Sequence, residues 1–147
     1  MVTIRHNGIA YAAFMNAHRN LEVWHRAHRM TIRVHRLTAG EVLDREPSLV
    51  DQVRRAVESI ADNIAEGRGG RTNGVYLRHI GIALASAGEA DSQIRRLLDR
   101  KELDAEVAYD LLDELAIIRR QLLSLELTVK RRPEVTRPFR TARRSRR

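Results

Sequence analysis

Apolar residues recur along this chain at helical spacing, and nowhere with the alternation of strands. Leu49, Val53, Ala56, Val57, Ile60 and Ile64 fall at i, i+4, i+7, i+8, i+11 and i+15, one face of a 3.6-residue helix. Gly67 stands where a left-handed C-cap is wanted, and Ser48 with Asp51 three residues on reads as a capping box. The polar face carries Arg54, Glu58, Asp62 and Glu66, an i, i+4 ladder. An earlier helix is predicted over residues 20–39. Val23, Ala27, Met30, Val34 and Leu37 form its apolar stripe, widened by Trp24, Thr31 and Thr38, with Asn20 as N-cap and Gly40 as C-cap. A third helix is predicted over residues 75–99, with Tyr76, Ile80, Ala83, Ala87, Ala90, Ile94 and Leu97 inward. Its middle is dense in small residues (Gly81, Ala83, Ala85, Ser86, Ala87, Gly88, Ala90), which let another helix backbone approach closely.

The fourth helix, over residues 105–129, carries an unbroken a/d stripe of Ala108, Leu111, Leu115, Ile118, Leu122, Leu125 and Val129. Leu112, Ala116, Leu123 and Leu127 add a second stripe beside it. So wide a surface fits either a broad core face or contacts between subunits, and the pattern supports both. Residues 41–47 and the glycine-rich 68–74 are short connections. The expectation is an all-α, antiparallel up-and-down four-helix bundle over residues 20–129, with an N-terminal arm at 1–19 and a flexible basic tail at 130–147.

Charge changes that picture. The chain has 27 Lys and Arg and 19 Asp and Glu, a net +8. Residues 130–147 hold nine of the bases and one acid, Glu134, which leaves eighteen of each sign before Lys130. The bundle is therefore neutral and the basicity belongs to the tail. With Pro133 and Pro138 and little apolar surface, the tail is expected to be disordered when free. Its guanidinium groups at Arg137, Arg140, Arg143, Arg144, Arg146 and Arg147 suit phosphates, which they pair bidentately while releasing counterions. A solvated solubility tail and an acidic protein partner are the competing readings.

The lack of cysteine excludes a disulfide scaffold, a thiolate zinc site and a cysteine nucleophile, and fits a reducing cytoplasm. No apolar run approaches the length of a membrane span. The stretch 9–15 after Arg5 imitates a signal peptide, but it is short, contains Tyr11 and lacks a small-x-small cleavage site. Aromatic residues at 4% disfavour a stacking platform for bases.

One string goes beyond periodicity. Gln52, Arg54, Arg55, Ala56, Ser59, Ile60, Asn63, Ile64, Ala65, Glu66 and Gly67 resemble the hallmark of the four-helix bundle family encoded inside intervening sequences of bacterial 23S rRNA genes. Leu21, Glu22, Val23, Trp24, Ala27, Leu37 and Thr38 are similar to the family's opening, and Tyr76, Ala83, Ser86 and Glu89 to its third helix. Tyr76 stands where the family usually has Phe. The resemblance covers residues 21–129 and has no counterpart for the arm or the tail. It implies a left-handed bundle, assembly as a ring-like homopentamer and no catalysis. A related family serves as the accessory protein of diversity-generating retroelements, which implies a reverse transcriptase and nucleic acid as partners.

Further candidates are weighed on their own residues. Arg26, Arg29, Arg33 and Arg36 line the outer face of the first helix, opposed only by Glu22, while the fourth helix opens acidic with Glu102, Asp104, Glu106, Asp110, Asp113 and Glu114. These arginines either extend a nucleic-acid footprint or face the acidic helix; the neutral body favours the latter. His18, His25, His28 and His35 share an arc of about 100°. His25 and His28 have metal-ligand spacing but lack thiolates and have Glu22 alone as a nearby carboxylate, so no metal or other cofactor is expected. Arg54, Arg55, Ser59, Asn63, Glu66, Gly67, Ser86 and Glu89 are the structural motif, with Asn63, Glu66, Ser86 and Glu89 expected in a polar network and Glu66 either paired with Arg55 or capping the 68–74 loop. A catalytic carboxylate beside His79 is the less favoured alternative. Residues 67–74 lack the Lys-Ser/Thr ending of a nucleotide-binding loop. The reading is a non-enzymatic, oligomeric, cytoplasmic bundle, with no membrane partner, that binds nucleic acid, RNA or a ribonucleoprotein in preference to DNA. The alternative is a protein scaffold such as a reverse-transcriptase accessory subunit.

Overall fold

A computed structural model of the chain describes residues 17–39 and 47–134. After a 3₁₀ turn at Ala17–Asn20, four helices follow: α1 at Glu22–Leu37, α2 at Pro47–Arg68, α3 at Asn73–Asp99 and α4 at Ala105–Lys130. Successive helices pack on one another, and α1 also packs on α4. That order closes the antiparallel, up-and-down, all-α four-helix bundle. It places the α2–α3 loop and the end of α4 at one pole, and the α3–α4 turn at the other.

The core is the predicted set of faces. Val23, Ala27, Met30 and Val34 of α1 meet Val53, Val57, Ile60 and Ile64 of α2, Ala83, Ala87, Ala90 and Ile94 of α3, and Leu111, Leu115, Ile118 and Leu122 of α4. Tyr76, Ile80 and Val129 form a smaller cluster at the loop pole. The small residues of α3 divide by face. Ala83, Ser86, Ala87 and Ala90 are buried, whereas Gly81 and Ala85 are exposed. The second stripe of α4 divides too: Leu112 is buried, but Leu123 and Leu127 are 48% and 52% exposed.

Several ends differ from the expectation. α1 starts after Leu21, extended at φ −98° and ψ 119°, which offers no side-chain cap; Asn20 ends the 3₁₀ turn instead. Gly40 lies outside the described residues. Leu37, expected in the core, is half-exposed, and Thr38 takes the buried position because its hydroxyl can donate to the Val34 carbonyl at 2.7 Å. α2 begins at Pro47, where a missing N–H costs nothing, so Ser48 lies within the first turn rather than ahead of it. Gly67 is not a C-cap: it lies inside α2, and no described glycine has positive φ. The caps that do form are Thr72, which accepts from the Val75 N–H at 3.1 Å, and Asp104, which accepts from Glu106 and Val107. α3 ends in a Schellman turn. The Lys101 N–H donates to the Leu98 carbonyl and the Glu102 N–H to the Leu97 carbonyl, both at 2.9 Å, with Lys101 at φ 58°.

Candidate nucleic-acid interface

The arginines of α1 turn toward acids of the same chain. Arg26 donates from Nη1 to both carboxylate oxygens of Glu114, at 2.9 and 3.0 Å, and its Nε lies 3.4 Å from Glu22. Arg29 reaches Glu22 at 3.2 Å and Arg33 reaches Asp110 at 3.1 Å. Arg36 is exposed and has no ion pair among the described residues. An anion at Arg26 would have to displace a half-buried carboxylate both of whose oxygens already accept from Nη1, which costs more than recruiting an uncommitted guanidinium. The first three are thus placed as ties between α1 and α4 or within α1.

The motif of α2 forms a polar chain to α3. Ser86 Oγ and Ser59 Oγ are 2.8 Å apart; Asn63 Nδ2 donates to the Ser59 carbonyl at 2.8 Å and lies 3.2 Å from its hydroxyl. Asn63 Oδ1 lies 2.9 Å from His79 Nδ1, and Glu66 Oε2 lies 3.5 Å from the same nitrogen. Each half-buried polar group finds a partner across the helix pair, as burial demands. Glu89, expected in this network, is exposed on the outer face of α3 and joins none of these bonds, and Arg55 is likewise exposed rather than paired with Glu66. The Arg54–Glu66 ladder is not an intrahelical one. Arg54 donates to the Thr38 hydroxyl at 2.8 Å and carbonyl at 2.7 Å, closing the end of α1, and Glu58 meets His35 Nε2 at 2.6 Å. Asp62, left between Glu58 and Glu66, has its carboxyl pushed above the usual range by partial burial first and then by those two charges. Open clefts of about 280 Å³ lie elsewhere, one between Ser48 and Arg96 and one between Arg33 and Glu114, and neither is lined by His79 or Glu66.

His18 of the 3₁₀ turn and His25 and His28 of α1 gather on Trp24, whereas His35 meets Glu58. His28 stacks on the indole at 4.9 Å and 9°, His25 meets it edge-on at 5.1 Å, and His18 at 4.7 Å. His25 Nε2 also lies 2.6 Å from the Arg19 carbonyl oxygen.

Further positive charge collects at the loop pole. Arg68 sits at the end of α2 and Arg71 in the loop, while Lys130, Arg131 and Arg132 close α4. Lys130 pairs with Glu126 at 3.1 Å. Asn73 Nδ2 donates to the carbonyls of Arg132 and Pro133, at 3.2 and 3.1 Å, and so fixes where the tail begins. Tyr76 is buried under this cap. Its hydroxyl is raised in pKa by burial, an effect opposed by the nearby Arg68 and Arg132 charges. Arg137, Arg140, Arg143, Arg144, Arg146 and Arg147 lie outside the described residues.

With this geometry in place, comparison with known proteins decides the family. The family described as 23S rRNA-intervening sequence protein matches residues 19–124, most of the bundle. The chain belongs to that family. A solved structure that it resembles is a protein of unknown function from the S23 ribosomal protein family of Bacteroides thetaiotaomicron VPI-5482. The two share 19% identity and a TM-score of 0.66, over 71% of this chain and 95% of that one, which establishes likeness of fold. No curated protein matches the chain.

Within the 23S rRNA-intervening family match, the motif residues act as structure. Ser59, Asn63 and Ser86 knit α2 to α3, Arg54 closes α1, and Gly67 leaves room for α3. A Cβ on Gly67 would lie 2.8 Å from His79 Cβ and 2.9 Å from Tyr76 Cδ2. The tail begins after the matched segment. Sequence reasoning missed Tyr76, read only as core, and Arg68, read only as loop. The available signal was a hydroxyl where a phenylalanine would pack, followed at the far end of the chain by three consecutive bases.

Proposed function

We propose that this protein is a non-enzymatic assembly bundle that binds nucleic acid, RNA in preference to DNA, through its Arg-rich tail. The observation that carries the reading is the distribution of charge. Before Lys130 the signs balance, and Arg26, Arg29 and Arg33 are matched to carboxylates. From Lys130 onward nine bases face one acid, and that segment leaves from the pole that also carries Arg68 and Arg71. Such a distribution supports a phosphate-binding appendage on a neutral core, acting in the cytoplasm without a membrane; among the described residues no helix is long and apolar enough to cross one. Binding is sequence-tolerant, because guanidinium–phosphate pairs carry no base information. Arg36, exposed and without an ion pair among the described residues, serves as an accessory contact on α1.

Assembly completes the proposal. Leu123 and Leu127, one turn apart and exposed on α4, offer an apolar strip suited to a second copy of the chain, and a ring of five would multiply tail avidity. The same strip supports a second reading, a scaffold for a larger protein such as a reverse transcriptase. A salt series with labelled RNA and DNA tests the first. The expected result is an affinity for RNA that falls steeply as salt rises, by about tenfold or more between 50 and 200 mM. Salt-independent binding contradicts it, and capture of a reverse transcriptase without RNA affinity replaces it with the second.

A further inference from the structure

Two buried donors at the loop pole lack an acceptor. Tyr76 is 5% exposed, and its hydroxyl is fully shielded yet has no hydrogen-bond partner; the same holds for the Nε of Arg68. A buried polar group without a partner is costly, and such groups in folded proteins are few. The chemistry of this pair narrows what is missing. A guanidinium Nε–H only donates, and a phenol can donate its O–H, so one acceptor would satisfy both. The missing group is therefore an oxygen acceptor. Its charge is set by the surroundings: Arg68 and Arg132 both act on the Tyr76 hydroxyl, so the local field favours an anion.

The backbone supports the same occupant. α3 starts at Asn73, so its free N–H groups and positive dipole end face this pole, with one N–H capped by Thr72. Asn73 holds the Arg132 and Pro133 carbonyls, which keeps Arg132 beside the phenol and starts the tail at the same place. A phosphate seated here would lie at the root of the arginine run.

We propose that Tyr76, Arg68 and Arg132 form a phosphate-binding site at the loop pole, which anchors one backbone phosphate while the tail engages those that follow. The source of that phosphate, a nucleic-acid backbone, rests on the function proposed above; the site itself does not. It gives the bundle a fixed contact where the tail alone would give only a mobile one, and it explains a tyrosine at a position whose packing needs only a ring.

The test uses the full chain with Tyr76→Phe and Arg68→Gln, against labelled RNA and, separately, inorganic pyrophosphate. Tyr76→Phe keeps the ring and removes only the hydroxyl, so the free protein melts at the same temperature or higher. RNA affinity is expected to fall about tenfold to a hundredfold in each variant, as for loss of one charged hydrogen bond. The salt slope is unchanged in Tyr76→Phe and reduced by close to one ion in Arg68→Gln. Pyrophosphate is expected to raise the melting temperature of the parent and not of the variants. Equal RNA affinity and equal pyrophosphate stabilisation in parent and variants overturn the site, whatever the tail does. A full chain that ignores RNA while pyrophosphate still separates parent from variants sustains the site and overturns the nucleic-acid reading.

Discussion

Gly67 shows how one residue's role changes between pattern and packing. Its place after the apolar run suggested a left-handed cap, yet its helical backbone and the 2.8 Å approach of His79 Cβ make it a spacer. Gly67→Ala is therefore expected to destabilise the fold by about 1–3 kcal/mol through overpacking. Gly81→Ala, where a Cβ meets open space, should stabilise it by about 0.5–1 kcal/mol. Urea denaturation of the two variants separates these signs. Asp62 gives a second expectation. Its carboxyl is raised in the folded state, so the native protein holds this proton more tightly than the unfolded chain does. The cost of ionising it is absent below the ordinary pKa of 3.8 and is felt in full once pH exceeds the raised folded value. Asp62→Asn should then stabilise the protein slightly at pH 7, within about 0.5 kcal/mol for so exposed a position, and lose that advantage near pH 3. A pH series of melting curves checks it. Neither effect is visible in a one-dimensional pattern, because spacing reports that a face is buried and not what it is buried against.

At the scale of helices, the faces were legible and the pairings were not. The a/d stripe of α4 named Leu115, Ile118 and Leu122, which are fully buried, since an apolar repeat sustained over three heptads marks a packed face. The link from Arg26 to Glu114 spans 88 residues and depends on the rotation of both helices, which charge counts constrain only as a balance. The turn after α3 was illegible for a different reason: Lys101 occupies a left-handed position where glycine is the usual signal. Lys101→Gly is expected to raise stability by about 1 kcal/mol, the order of the left-handed penalty, readable as a rise in melting temperature. The outer strip of α4 carries its own expectation. Leu123→Glu with Leu127→Glu should leave helicity and melting largely intact, because both side chains are half-exposed, and should shift a sedimenting oligomer to the monomer. Unchanged mass would place assembly elsewhere.

For the whole molecule, the architecture separates two tasks. A bundle whose charges cancel internally supplies a stable body, and the pole that gathers the α2–α3 loop, the start of α3 and the end of α4 supplies the point of departure for the arginine run. Composition revealed the tail, because nine bases against one acid in residues 130–147 cannot arise from a balanced surface. It did not reveal the anchor, because Tyr76 and Arg132 lie 56 positions apart and meet only when α3 and α4 are folded side by side. The most direct test compares RNA affinity of the full chain with that of a chain ending at Glu134, which keeps every described residue, across 50–200 mM salt. Truncation is expected to weaken binding at least a hundredfold and to flatten the salt slope by several ions, leaving a weak contact at the loop pole. Affinity and slope that survive truncation would contradict it and return the footprint to the surface of the bundle.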